Sequence, residues 1–159
     1  MKIEEAMIKS VVTLQEDVSV YEAVKLMNEN RIGCLVVLQY GQVVGIVTER
    51  DMLERVLEKC RNPKETKVTE IMTKRVIVGK PDMQLVEAAK LMFEKKVKKL
   101  PIVEGNRLVG LVTLTDLARM ASLDEKTMEL IETRERFLEA CLHAWDSTLR
   151  KQDQSAVAR

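Results

Sequence analysis

Gly45-Ile-Val-Thr-Glu-Arg-Asp51 and Gly110-Leu-Val-Thr-Leu-Thr-Asp116 hold Gly, Val, Thr and Asp at one spacing while the residues between them drift. Working outward from these stretches, residues 2–53 slide onto 67–118 without a gap and share 18 identities in 52 positions. Lys2/Lys67, Glu5/Glu70, Met7/Met72, Val11/Val76, Asp17/Asp82, Glu22/Glu87 and Ala23/Ala88 are among them. The chain is a tandem duplication followed by an unrelated tail.

Each copy reads as one string of elements. A short lead, Ile3–Met7 or Val68–Met72, precedes a β-rich segment at Val11–Thr13 or Val76–Val78. Asp17 and Asp82 are predicted N-caps. The helix that follows carries Val20, Ala23, Val24 and Met27, matched by Leu85, Ala88, Ala89 and Met92, at helical spacing. Two apolar runs come next, Cys34–Leu38 and Val43–Val47 around Gly41, then Leu100–Val103 and Leu108–Val112 around residues 104–106, a hairpin pattern. A second helix starts at Thr48 or Thr113. The unit is β-α-β-β-α, too small to cover both faces of its sheet alone, so two copies are expected to pack sheet to sheet. The predicted boundaries are 1–59 for the first repeat, 60–67 for a linker containing Asn62-Pro63, 68–121 for the second repeat, 122–150 for a C-terminal helix and 151–159 for a disordered end.

Composition narrows the function classes. Hydrophobic residues make up 46% and aromatics 3% of the chain, so the core is aliphatic and stacking platforms for nucleobases are scarce. The net charge of +1 argues against a general polyanion surface. Cys34, Cys60 and Cys141 form no C-x-x-C pair and His143 is the sole histidine, which argues against a zinc site. Cys34, inside an apolar run, reads as a small buried hydrophobe. The odd thiol count, the lack of a signal-peptide pattern and the lack of any apolar run of about 20 residues lead to the expectation of a cytoplasmic protein with no membrane segment.

Thr48-x-x-Asp51 and Thr113-x-x-Asp116 support two readings. In one, each is a capping box at a strand-to-helix junction, and Gly45 and Gly110 are strand glycines approached by another backbone. In the other, the helix start offers N–H groups to a phosphate, the carboxylate accepts both hydroxyls of a ribose, and the glycine lets a flat ring lie on the backbone. One T-x-x-D means little; two in register mean more.

Met72-Thr73, Val76–Val78, Leu91-Met92, Leu100-Pro101-Ile102-Val103, Gly110–Thr113 and Asp116 resemble a CBS (cystathionine-β-synthase-type) domain, and Met7, Leu26-Met27, Leu35–Leu38 and Gly45–Asp51 repeat the pattern. The resemblance covers residues 1–120 and implies a Bateman module: a pseudo-twofold pair of repeats with ligand clefts between them, which commonly pairs again into a flat four-domain disc. The ligands it implies are AMP, ADP, ATP or S-adenosylmethionine. By carry-over, Asp51 and Asp116 hold ribose hydroxyls, and Thr48 and Thr113 lie near ribose or phosphate. Ile46 and Leu111, with the backbone at Val12-Thr13 and Ile77-Val78, line the base pockets. Arg50 meets phosphate where Thr115 offers only a hydroxyl. The first repeat departs from the second at Gly33-Cys34, against Lys98-Lys99, and at Val36, against Pro101. Lys95, Lys96, Lys98 and Lys99 either steer a phosphate or complement a helix end.

No catalytic constellation is present: there is no G-x-S-x-G and no Walker loop, and His143 reads as an amphipathic-helix residue. The expectation is a non-catalytic sensor acting through an unknown effector protein or through assembly state. The alternative is a protein- or nucleic-acid-interaction module carried by the tail. From Leu123 to Leu149 the tail has one apolar stripe, roughly 40 Å long as a helix. That stripe predicts either a homodimer clamp or a helix lying back on its own repeats.

Overall fold

The computed structural model describes residues 1–123. The predicted tail helix, apart from Ser122 and Leu123, and the predicted disordered end lie outside the described residues. The fold is mixed α/β in the order α1 (Ile3–Ala6), β1 (Thr13–Gln15), α2 (Val20–Asn30), β2 (Cys34–Gln39), β3 (Gln42–Thr48), α3 (Glu49–Met52), α4 (Leu85–Glu94), β4 (Lys99–Glu104), β5 (Arg107–Thr113) and α5 (Leu114–Leu123). A wide helical turn, Leu53–Leu57, continues α3, and a tight turn occupies Val68–Glu70. The described residues form two compact units: Met1–Met7 with Asp82–Leu100 and residues 112–123, and Ile8–Pro81 with Pro101–Leu111.

The larger unit is built on a sheet of order β1-β2-β3-β5-β4. β1 runs parallel to β2, with Thr13 opposite Val36, and β2 and β3 form the expected antiparallel hairpin. Tyr40 and Gly41 turn that hairpin, both in the left-handed region at φ 50° and 77°, the conformation a two-residue turn requires. β3 meets β5 at a single pair, Gln42 opposite Arg107. Packing of one hairpin on the other occurs through Cys34 and Val36 of β2 against Leu111 of β5, joined by Val11, Leu38, Val43 and Leu108. On the other face Leu14, Leu35, Val37 and Val47 meet Val20, Ala23 and Met27 of α2 together with Val56, Val68, Ile71 and Met72.

The lead of the second repeat does not pack on its own repeat. It lies on α2 of the first, with Ser19 bridged to Lys67, the Val68 N–H donating to the Val18 carbonyl at 3.0 Å and the Val20 N–H to the Thr66 carbonyl at 2.9 Å. In the smaller unit the first repeat's lead takes the equivalent place on α4. Lys2 is bridged to Gln84, the Ile3 N–H donates to the Met83 carbonyl at 2.9 Å, and the Leu85 N–H to the Met1 carbonyl at 3.1 Å. Every one of these pairs maps onto its counterpart by the 65-residue repeat shift.

Two local expectations are corrected. The caps of α2 and α4 are Ser19 and Gln84, two residues beyond Asp17 and Asp82, because Glu22 and Glu87 stand three residues further on and accept from the cap N–H at 3.1 and 3.0 Å. Val76–Val78 forms no strand; its place in the sheet shrinks to a bridge between Gly79 and Ile102. Gly79 and Pro81 stand where the first repeat has Leu14 and Glu16, and these two residues weaken strand pairing by backbone freedom and by a missing donor. Across the predicted boundary between residues 121 and 122, α5 runs on to Leu123, the last described residue.

Candidate functional site

β3 ends at Thr48, whose extended backbone (φ −126°, ψ 165°) turns into α3. Its N–H and its hydroxyl both donate to Oδ2 of Asp51, each at 2.8 Å, and the Asp51 N–H returns to Thr48 Oγ1 at 3.4 Å. In the smaller unit Thr113 and Asp116 repeat the arrangement at 2.9, 2.7 and 3.2 Å. The capping-box reading is therefore correct for both motifs. It leaves a second oxygen, Oδ1, on each carboxylate for other chemistry. Asp51 is buried and Asp116 half-buried.

Asp51 has a further neighbour that sequence reading missed. Arg55, one helical turn on, places Nη1 3.4 Å from Asp51 Oδ1 and also donates from Nη1 to the Ile71 carbonyl. The i,i+4 spacing was a usable signal; the Ile71 contact, 16 residues away, was not. At the equivalent place in the second repeat stands Met120.

Most remaining predicted residues fall in the larger unit. Thr13, Val36 and Ile46 form one row across β1, β2 and β3, extended by Thr73, which exchanges hydrogen bonds with Ile46 at 2.9 and 3.1 Å. Leu111 is paired likewise with Ile8 at 2.9 and 3.0 Å. Gly79, next to Val78, donates to the Pro101 carbonyl at 2.9 Å. Val12 and Ile77 are half-buried, Val78 is exposed, and Pro101 is buried. Arg50 is exposed and ion-paired to Glu54. Lys99, half-buried, and the exposed Thr115 belong to the smaller unit with Thr113 and Asp116.

A cleft of about 240 Å³ opens in the larger unit between Val11, Thr13 and Leu38 on one side and Leu108 on the other, with Lys9 and Arg107 among its lining. Of its lining only Thr13 was a predicted ligand-site residue. Gly45 is not approached by backbone as expected: the Met72 thioether fills the space, and a Cβ on Gly45 would lie 2.2 Å from Sδ.

A family model described as "CBS domain" matches residues 3–58 and again 68–122. The chain belongs to the CBS domain family. It is 34% identical over 116 residues to the CBS domain-containing protein YhcV of Bacillus subtilis, covering 73% of this chain and 82% of that protein. It spans 52% of a longer mitochondrial CBS domain-containing relative from Arabidopsis thaliana. Among solved structures it is similar to the CBS domain pair of protein MJ0100 in complex with 5′-methylthioadenosine and S-adenosyl-L-methionine, at 26% identity and TM-score 0.70, covering 77% of this chain and 96% of that one. It is also similar to a hexameric CBS-CP12 protein from bloom-forming cyanobacteria, at 26% identity and TM-score 0.71 over 98% of this chain and 99% of that one. Among the described residues, no helix of this CBS pair is long and apolar enough to cross a membrane, and no cluster of three or more His, Cys, Asp or Glu side chains is placed to hold a metal ion.

Proposed function

We propose that this CBS pair is a regulatory module that binds an adenosine-containing small molecule, AMP, ADP, ATP or S-adenosylmethionine, and passes occupancy to a partner protein or to its assembly state. The observation that carries the reading is the duplicated Thr–Asp box, in which each carboxylate commits Oδ2 to its own helix start and retains Oδ1. A carboxylate held rigidly at a strand-to-helix junction is a pre-organised acceptor for ribose hydroxyls. The solved CBS pair with two bound adenosyl compounds supports the choice of ligand class.

In this reading Asp51 and Asp116 take the ribose, with Thr48 and Thr113 beside it. Ile46, Leu111 and the segments Val12-Thr13 and Ile77-Val78 supply apolar surface for the base. Arg50, or Thr115 and Lys99 in the second copy, takes the phosphate, and Pro101 is a further candidate ligand contact, at the place of Val36 in the first copy. The role is binding and signalling, with no reaction assigned to these residues. A thermal-shift series with AMP, ADP, ATP, S-adenosylmethionine and NAD tests it. A ligand at a hundred times its Kd raises stability by about 2.7 kcal/mol. A melting curve unmoved by every member at millimolar concentration removes the adenosyl assignment.

A further inference from the structure

We infer that the two motifs are unequal acceptors and that Arg55 sets the order: Asp116 takes the ribose first, while Asp51 is held in reserve by its own chain. The inference builds on the adenosyl reading above. Both carboxylates give Oδ2 to the box, so a ligand competes for Oδ1. At Asp51, Oδ1 faces Arg55 Nη1 at 3.4 Å, and the bond from that nitrogen to the Ile71 carbonyl fixes the guanidinium from a second side. The Asp51 side chain is 11% exposed, so hydroxyls reaching Oδ1 compete with the guanidinium for it. In the second motif Met120 replaces Arg55 and carries no donor, and Asp116 makes no ion pair among the described residues.

The size of the effect follows from the exposure of the pair. Arg55 is 46% exposed, and a pair open to water on one side shifts affinity by up to roughly fivefold. Filling the first motif also has a structural consequence that filling the second lacks. Displacing Arg55 from Oδ1 moves the nitrogen that also holds the Ile71 carbonyl, two residues before Thr73, which is hydrogen-bonded to Ile46 in β3. Occupancy at Asp51 is thereby coupled to the lead of the second repeat.

Calorimetric titration with AMP, and in a second series with S-adenosylmethionine, tests the order. The tighter or sole binding class should weaken by roughly 5- to 150-fold in Asp116→Asn and keep its affinity in Asp51→Asn. Arg55→Met should tighten the weaker class by up to about fivefold, and Met120→Arg should weaken the tighter class by a similar factor. Arg55→Gln serves as a second variant, with unliganded melting curves to show that both Arg55 variants fold. Loss of the tighter class in Asp51→Asn, or no change at the weaker class in folded Arg55→Met and Arg55→Gln, overturns the order alone. Failure of both probes to bind any variant overturns the order and the adenosyl reading together.

Discussion

Gly45 has no space for a side chain because Met72 already occupies it. Besides Sδ at 2.2 Å, Cγ of Met72 would lie 2.9 Å from an added Cβ, too close for a shift of the thioether end alone to relieve. Gly45→Ala should therefore destabilise the fold by about 1–3 kcal/mol in urea denaturation, as overpacked core positions do. Combining it with Met72→Ala should cost less than the sum of the two changes, because the second removes what the first strikes. Strict additivity would mean the two residues do not compete for one space. The duplicated glycine was legible as a position of close approach. What approaches was not, since Met72 reaches it only through the exchange of the lead segments.

At the scale of elements, α2 shows how a cap ties stability to pH. Ser19 donates from its hydroxyl and its N–H to the Glu22 carboxylate at 2.8 and 3.1 Å, and these bonds, the hydroxyl first, hold the Glu22 carboxyl below its ordinary value. A lowered folded-state value stabilises the fold above the ordinary carboxylate range, and the benefit fades as pH falls through the lowered value. Ser19→Ala should cost about 1 kcal/mol near neutral pH and lose less than the wild type on acidification. A mutant with the same acid dependence as the wild type would take Ser19 out of the linkage. Helices α2 and α4 were readable because Ala23, Met27, Ala88 and Met92 fall on one stripe, and all four are buried. The cap was misplaced because aspartate is as good a cap as serine locally. The Glu at the third helical position decides between them. The absence of a second-repeat counterpart to β1 was signalled by Gly79 and Pro81, but matched valines at 11 and 76 hid it.

For the whole molecule, the exchange of leads makes each repeat incomplete without the other. Ile3 is fully buried and Val68 likewise, each in a unit supplied mainly by the opposite repeat's helix. Ile3→Ala should cost about 2–5 kcal/mol. Residues 1–59 expressed alone should lack the ellipticity of a folded α/β chain; a cooperative melt from that fragment would contradict the exchange. The tail belongs to this scale too. We expect it to clamp a homodimer, so truncation after Ala121 should lower the mass by light scattering at micromolar concentration, and an unchanged dimer of unchanged stability would dismiss the clamp. Duplication and fold class were readable in the repeat itself. The swap was not, because a shift of 65 residues relates like to like and leaves open which copy pairs with which.

The central claim is that the paired boxes bind adenosyl ligands through their carboxylates. The most direct measurement is calorimetry on Asp51→Asn/Asp116→Asn against the wild type, with whichever compound of the thermal-shift series stabilises the chain most. Each substitution removes a charged acceptor and should weaken its site by about 1–3 kcal/mol, with the double variant losing measurable affinity while its unliganded fold persists by circular dichroism. Wild-type affinity in that folded double variant would contradict the account.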